Sequence, residues 1–107
     1  MRRYQPTTLP ALADQLAGGV APDDDVVVAE SDSEDDEYAA LMTAADLSAE
    51  RLGGLPDGQR RRVVAVFDAH GTELRAVHAD TADDADPDDD LAWYAAQEVD
   101  SLLRGVV

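Results

Sequence analysis

The sequence predicts an α/β (α+β) fold, a small mixed β-sheet of about four to five strands with helices packed on it. Two observations predict it. Apolar β-branched runs, Val26–Val28 and Val63–Phe67, alternate with capped amphipathic segments, at 7–18 and 31–54. The resulting order, β-α-β-α-β-β-(β)-α, is that of strands joined by crossover helices, which implies parallel neighbours followed by an antiparallel hairpin. No repeat or linker interrupts 107 residues, so 1–107 reads as a single α/β domain.

Each element has its own signal. Arg2–Gln5 reads as a short strand ended by Pro6. Thr7 or Thr8 then caps a helix with Pro10 in its first turn, Leu9, Leu12 and Leu16 near one stripe, and Gly18–Gly19 as its stop. After a turn at 21–25, the consecutive valines Val26–Val28 suggest a strand covered on both faces.

The best-marked helix follows. Ser31 or Ser33 can cap it, and Ser31 with Glu34 has capping-box spacing. Asp35, Asp36 and Glu37 lie at the positive end of its dipole. Tyr38, Leu41, Ala45, Ser48 and Leu52 form the expected buried stripe, Ala40, Ala44 and Ala49 allow close approach, and Gly53–Gly54 end it.

Val63–Phe67 is expected to pair with Leu74–His78 across a turn at His70–Gly71. The predicted register sets Phe67 opposite Leu74, Ala65 opposite Ala76 and Val64 opposite Val77. Residues 80–90 read as an acidic, solvated, mobile loop. Leu91–Tyr94 then reads as a last strand and Gln97–Arg104 as a closing helix.

Charge is the strongest compositional signal: 24 acidic residues stand against 8 basic ones, a formal net charge of −16. The chain contains no Lys, Ile, Asn or Cys. The first three absences fit a GC-rich genome, which explains arginine in place of lysine but not the acid excess. This charge opposes direct nucleic-acid binding, which needs cationic side chains to displace counterions, and opposes an anionic membrane surface. Absent cysteine excludes disulfides and thiolate chemistry. With neither a hydrophobic span nor a secretory signal legible, a cytoplasmic protein is expected.

The segments YQPTTLPAL, DDEYAALMTAADLS, RRVVAVFDA and LAWYAAQEVDSLL occur in an order that resembles an actinobacterial family of unknown function. The segment holding Trp93, Tyr94, Gln97 and Glu98 is the most specific part of the resemblance. It implies an intact cytoplasmic α/β domain from a GC-rich bacterium and supplies no activity.

Candidate chemistries are tested by spacing. An EF-hand started at Asp84 puts Asp89 at the glycine position and Ala95 at the glutamate position; started at Asp32 it puts Glu37 and Thr43 there. Asp68-x-His70 and His78-x-Asp80 offer metal-ligand types, but the hairpin separates the histidines by more than ~15 Å at ~3.3 Å per residue. No serine lies in G-x-S-x-G, and lysine chemistry is impossible. Arg60–Arg62 is the one basic cluster, read as offsetting local acid at the start of a strand.

No catalytic residue, metal site or cofactor is therefore assigned. The expected function is a non-catalytic protein-binding or regulatory module docking a basic protein surface through an acidic face. Its candidate residues are Asp32, Glu34, Asp35, Asp36, Asp86, Asp88, Asp89 and Asp90, with Trp93 or Tyr94 as an aromatic anchor. The alternatives are a DNA-mimic inhibitor of a nucleic-acid-binding protein and a carboxylate- or divalent-metal-dependent hydrolase.

Overall fold

The computed structural model describes residues 1–18 and 25–105. Its elements are β1 (Arg3–Thr7), α1 (Leu9–Leu16), β2 (Val27–Val28), α2 (Glu34–Ala49), β3 (Val63–Phe67), β4 (Leu74–Ala79), β5 (Ala92–Ala95), a 3-10 turn (Ala96–Glu98) and α3 (Val99–Leu103). The five strands make one sheet in the order β2-β1-β3-β4-β5. The α+β class and the element order agree with the sequence reading.

Strand direction corrects it. Every adjacent pair is antiparallel. The expected crossover does exist: β2 and β3 both run opposite to β1, so β2-α2-β3 joins two strands of the same direction. However, β1 lies between them, so no parallel pair becomes adjacent. Periodicity identified the strands but carried no information about which segment would be inserted between two others.

The sheet is covered on both faces, and side-chain alternation divides the core in two. On one face, Tyr4, Val64, Val66 and Ala76 pack against Ala40, Ala44 and Ala45 of α2. On the other, Val63, Ala65, Phe67, Val77 and Ala79 pack against Leu12 of α1 and Val99 and Leu102 of α3. The central strand β3 is consequently buried at every residue. Val26–Val28 is not: β2 is a two-residue edge strand, and Val28 is 49% exposed.

Helix α2 meets the sheet through small residues, as its alanines suggested. Ala40, Ala44, Ala45 and Ser48 are its buried positions. Tyr38, expected in the buried stripe, is 53% exposed, and Leu52 lies beyond the helix end. The cause is the narrow alanine seam, which brings helix and sheet close and leaves the larger ring at the rim. Ser48 is fully buried; its hydroxyl donates to the Thr7 carbonyl at 2.7 Å and accepts the Val63 N–H at 2.9 Å. One hydroxyl thus connects α2, β1 and β3.

The β3–β4 hairpin has Phe67 opposite Leu74, as expected, but Val66 opposite Ala76, Ala65 opposite Val77 and Val64 opposite His78. A register shift between Val66 and Phe67 moves the remainder by one residue. The turn is organised by Asp68, whose carboxylate accepts the Thr72 N–H at 2.9 Å and the Glu73 N–H at 3.3 Å. These bonds hold its carboxyl below the usual range. Gly71 adopts φ 74°, a conformation that favours glycine.

Candidate binding surface

The acidic segment after β4 is held at its inner end by arginines. Asp80 and Arg62 are each 3% exposed and form a two-pronged ion pair: Nη2 to Oδ1 at 2.8 Å and Nε to Oδ2 at 2.9 Å. Asp80 Oδ2 also accepts the Arg62 backbone N–H at 2.9 Å. Arg62 reaches further, donating to the carbonyls of Pro87 at 3.1 Å and Asp89 at 2.8 Å. Arg60 donates to Asp84 at 3.0 Å and to Asp57 at 2.9 Å. The Asp83 carboxylate accepts the Arg60 N–H at 3.0 Å. Where the sequence suggested a free solvated loop, Asp80, Asp83 and Asp84 are bound to the start of β3. Arg60 holds the Asp84 carboxyl below its usual range, while its own guanidinium is raised by Asp84 and Asp57.

The outer half of the segment is different. Asp86, Asp88, Asp89 and Asp90 are all exposed. Their recorded carboxylate bonds are short-range ones, Asp86 accepting the Asp88 N–H at 2.9 Å and Asp89 the Asp86 N–H at 3.3 Å, plus one long-range bond. That bond runs from the Tyr38 hydroxyl on α2 to Asp90 at 3.2 Å. Its acceptor raises the Tyr38 pKa.

Tyr38 connects this loop to the second acidic block. Glu34, Asp35, Asp36 and Glu37 occupy the first turn of α2, where the helix dipole favours carboxylates. Ser33 is the N-cap, accepting the Asp36 N–H at 3.2 Å, so the Ser31–Glu34 capping box does not form. Ser31 instead donates to Asp36. Asp32, Glu34 and Asp35 are exposed, while Asp36 is half-buried. The two acidic blocks, distant in sequence, therefore meet at Tyr38 and Asp90.

The two aromatic candidates separate. Tyr94 packs against the face formed by Phe67 and Val77. Trp93 pairs with His78 across β4 and β5 and is 60% exposed. Since His78 in turn opposes Val64, Trp93 lies on the sheet face that carries α2.

Beside Trp93 is a concavity of about 220 Å³ that the sequence reading missed, walled by Arg2, Tyr4, Arg75 and His78 above Val66 and Ala76. Burial pushes the His78 imidazole down and therefore toward its neutral form. Burial also raises the Tyr4 phenol, reinforced by Glu37 and opposed by Arg2. The signal for this site is the cross-strand pair His78–Trp93, which becomes visible only once the β4–β5 register is known. Among the described residues no group of three or more His, Asp or Glu is placed to hold a metal ion. Among them also, no helix is long and apolar enough to cross a membrane.

No curated protein and no solved structure matches the chain. One family model does match, over residues 1–85, from β1 through β4 into the acidic segment. The match ends before Trp93 and Tyr94, so the segment read as most specific lies outside it. Covering most of the chain, that match makes the protein a member of the family of unknown function DUF6912.

Proposed function

We propose that the protein is a non-catalytic protein-binding or regulatory module that docks a basic protein surface on its acidic side. The observation that carries this reading is the Tyr38–Asp90 hydrogen bond, which joins the first-turn carboxylates of α2 to the outer acidic loop. Two clusters that would repel each other are held side by side in the folded chain. A basic partner relieves that repulsion, a stabilisation absent from the free protein.

The arginines support the same reading. Arg60 and Arg62 engage Asp80, Asp83 and Asp84 and leave Asp86, Asp88, Asp89 and Asp90 outward. Trp93, three residues beyond Asp90 and exposed, supplies an apolar anchor of the kind enriched at interface hot spots. Tyr94 has no part in this surface.

The test is cross-linking of the tagged protein in native lysate, followed by binding of each recovered partner in purified form. A partner of basic charge is expected, its affinity falling steeply between low and high salt. It should weaken with Asp86→Asn/Asp88→Asn and with Trp93→Ala, and be unchanged by Asp14→Asn on α1. Equal effects from Asp14→Asn and the loop variants would reject a defined acidic surface.

A further inference from the structure

We propose that the concavity walled by Arg2, Tyr4, Arg75, His78 and Trp93 binds a small aromatic carboxylate. The site exists because α2 covers only part of its sheet face. The helix packs on β1, β2 and β3, and the rows formed by β4 and β5 extend beyond it. Ala76, His78 and Trp93 thus form a floor and wall open to solvent on one side, with Tyr4 and Val66 at the back.

The wall has the chemistry of an acid-binding site. Among the described residues Arg2 takes part in no ion pair and Arg75 pairs with Glu73 alone, at 3.5 Å with both side chains more than half exposed. Arg2 and Arg75 both line this concavity, and no carboxylate does, although the same two arginines also border an adjoining depression that holds Asp32, Glu37 and Asp68. Among the described residues, neither the Tyr4 phenol nor the His78 imidazole takes a hydrogen-bond partner in the protein, and the polar atoms of both reach solvent at the concavity. Both are free to donate to an oxygen atom seated between the arginines.

Shape selects the rest of the ligand. Trp93 offers an indole face, and Ala76 and Val66 offer an apolar floor, so a flat ring is favoured over a compact inorganic anion. The volume of about 220 Å³ falls below the ~300–1,000 Å³ typical of drug-sized ligand sites, which limits the occupant to about one ring with its acid group. The net charge repels any anion at long range, but physiological salt screens beyond ~8 Å while the arginines act at contact. This inference shares Trp93 with the acidic-side reading but rests on the arginines rather than on the loop carboxylates.

Trp93 is the single tryptophan, so in the purified protein its emission reports on this concavity. The experiment titrates the intact protein with benzoate, benzamide and inorganic phosphate in physiological salt. Benzoate is expected to shift Trp93 emission saturably, with Kd in the range of about 0.1–3 mM. Benzamide, its neutral analogue, should bind at least about tenfold more weakly, as should phosphate, which lacks the ring. Arg75→Gln, at an exposed position, should weaken benzoate about tenfold without changing the melting temperature. Asp86→Asn/Asp88→Asn should leave benzoate binding intact. Benzamide or phosphate matching benzoate, or no saturable change up to about 10 mM, would overturn the proposal. So would Trp93 emission that varies with protein concentration as the sedimenting mass doubles, since a second copy would then occupy the face.

Discussion

Arg62 and Asp80 bind each other twice, through Nη2–Oδ1 and Nε–Oδ2, and neither is more than 3% exposed. The pair lies between the start of β3 and the end of β4, and Arg62 extends it to the Pro87 and Asp89 carbonyls. Arg62→Ala or Asp80→Ala leaves one buried charge without its partner, which costs about 3–5 kcal/mol. Chemical denaturation of the two single variants and the double variant measures this, and the double variant should be less destabilised than the sum. Amide exchange at residues 86–90 should accelerate in Arg62→Ala, because those carbonyl contacts disappear.

Ser48 makes a separate prediction. Removing its hydroxyl in Ser48→Ala strands the Val63 N–H and the Thr7 carbonyl at a site of zero exposure. A loss of about 1–3 kcal/mol is expected, larger than for a half-buried serine such as Ser31. Urea unfolding of both variants checks the ratio.

The N-cap gives a smaller effect with a clear sign. Ser33→Ala removes the acceptor for the Asp36 N–H and should destabilise by about 1 kcal/mol, whereas Ser31→Ala leaves that bond in place. Thermal melting of the two variants distinguishes them. The sequence offered both serines as caps because both precede the apolar pattern. Only the backbone path decides which hydroxyl faces the helix end.

His78 introduces a pH dependence. Burial lowers its folded pKa, so below its unfolded value of about 6.5 the unfolded chain binds the proton more readily. The stabilisation is complete above about pH 6.5 and is lost as pH falls through the lower folded value. The melting temperature of the wild type should therefore fall between pH 7.5 and 5 by more than that of His78→Gln. Equal slopes would show that His78 titrates alike in both states.

Periodicity and composition revealed most of the fold, and almost none of its long-range geometry. The strand Val63–Phe67 and the helix over Glu34–Ala49 were legible because a buried strand and a capped amphipathic helix leave local patterns. Phe67 opposite Leu74 was legible from the turn, but the shift at Val66 was not, since a bulge changes pairing without changing alternation. The loop at 80–90 read as solvated because counting aspartates cannot locate Arg60 and Arg62, about twenty residues earlier, against three of them. The candidate carboxylates were identified by type, and the bond that unites them depends on Tyr38 leaving the stripe its spacing suggested. Arg2 and Arg75 are not legible as neighbours, because nothing local links a residue before β1 to one in β4.

The interior place of β1 constrains how the chain acquires its shape during synthesis. Its main partner, β3, is made about sixty residues later, and until then only the two-residue contact with β2 is available. The sheet therefore cannot close vectorially; it must wait for Val63–Phe67 to leave the ribosome. In the interval the nascent segment carries the aspartates and glutamates of α2 and its approach, whose mutual repulsion keeps waiting strands of neighbouring chains apart.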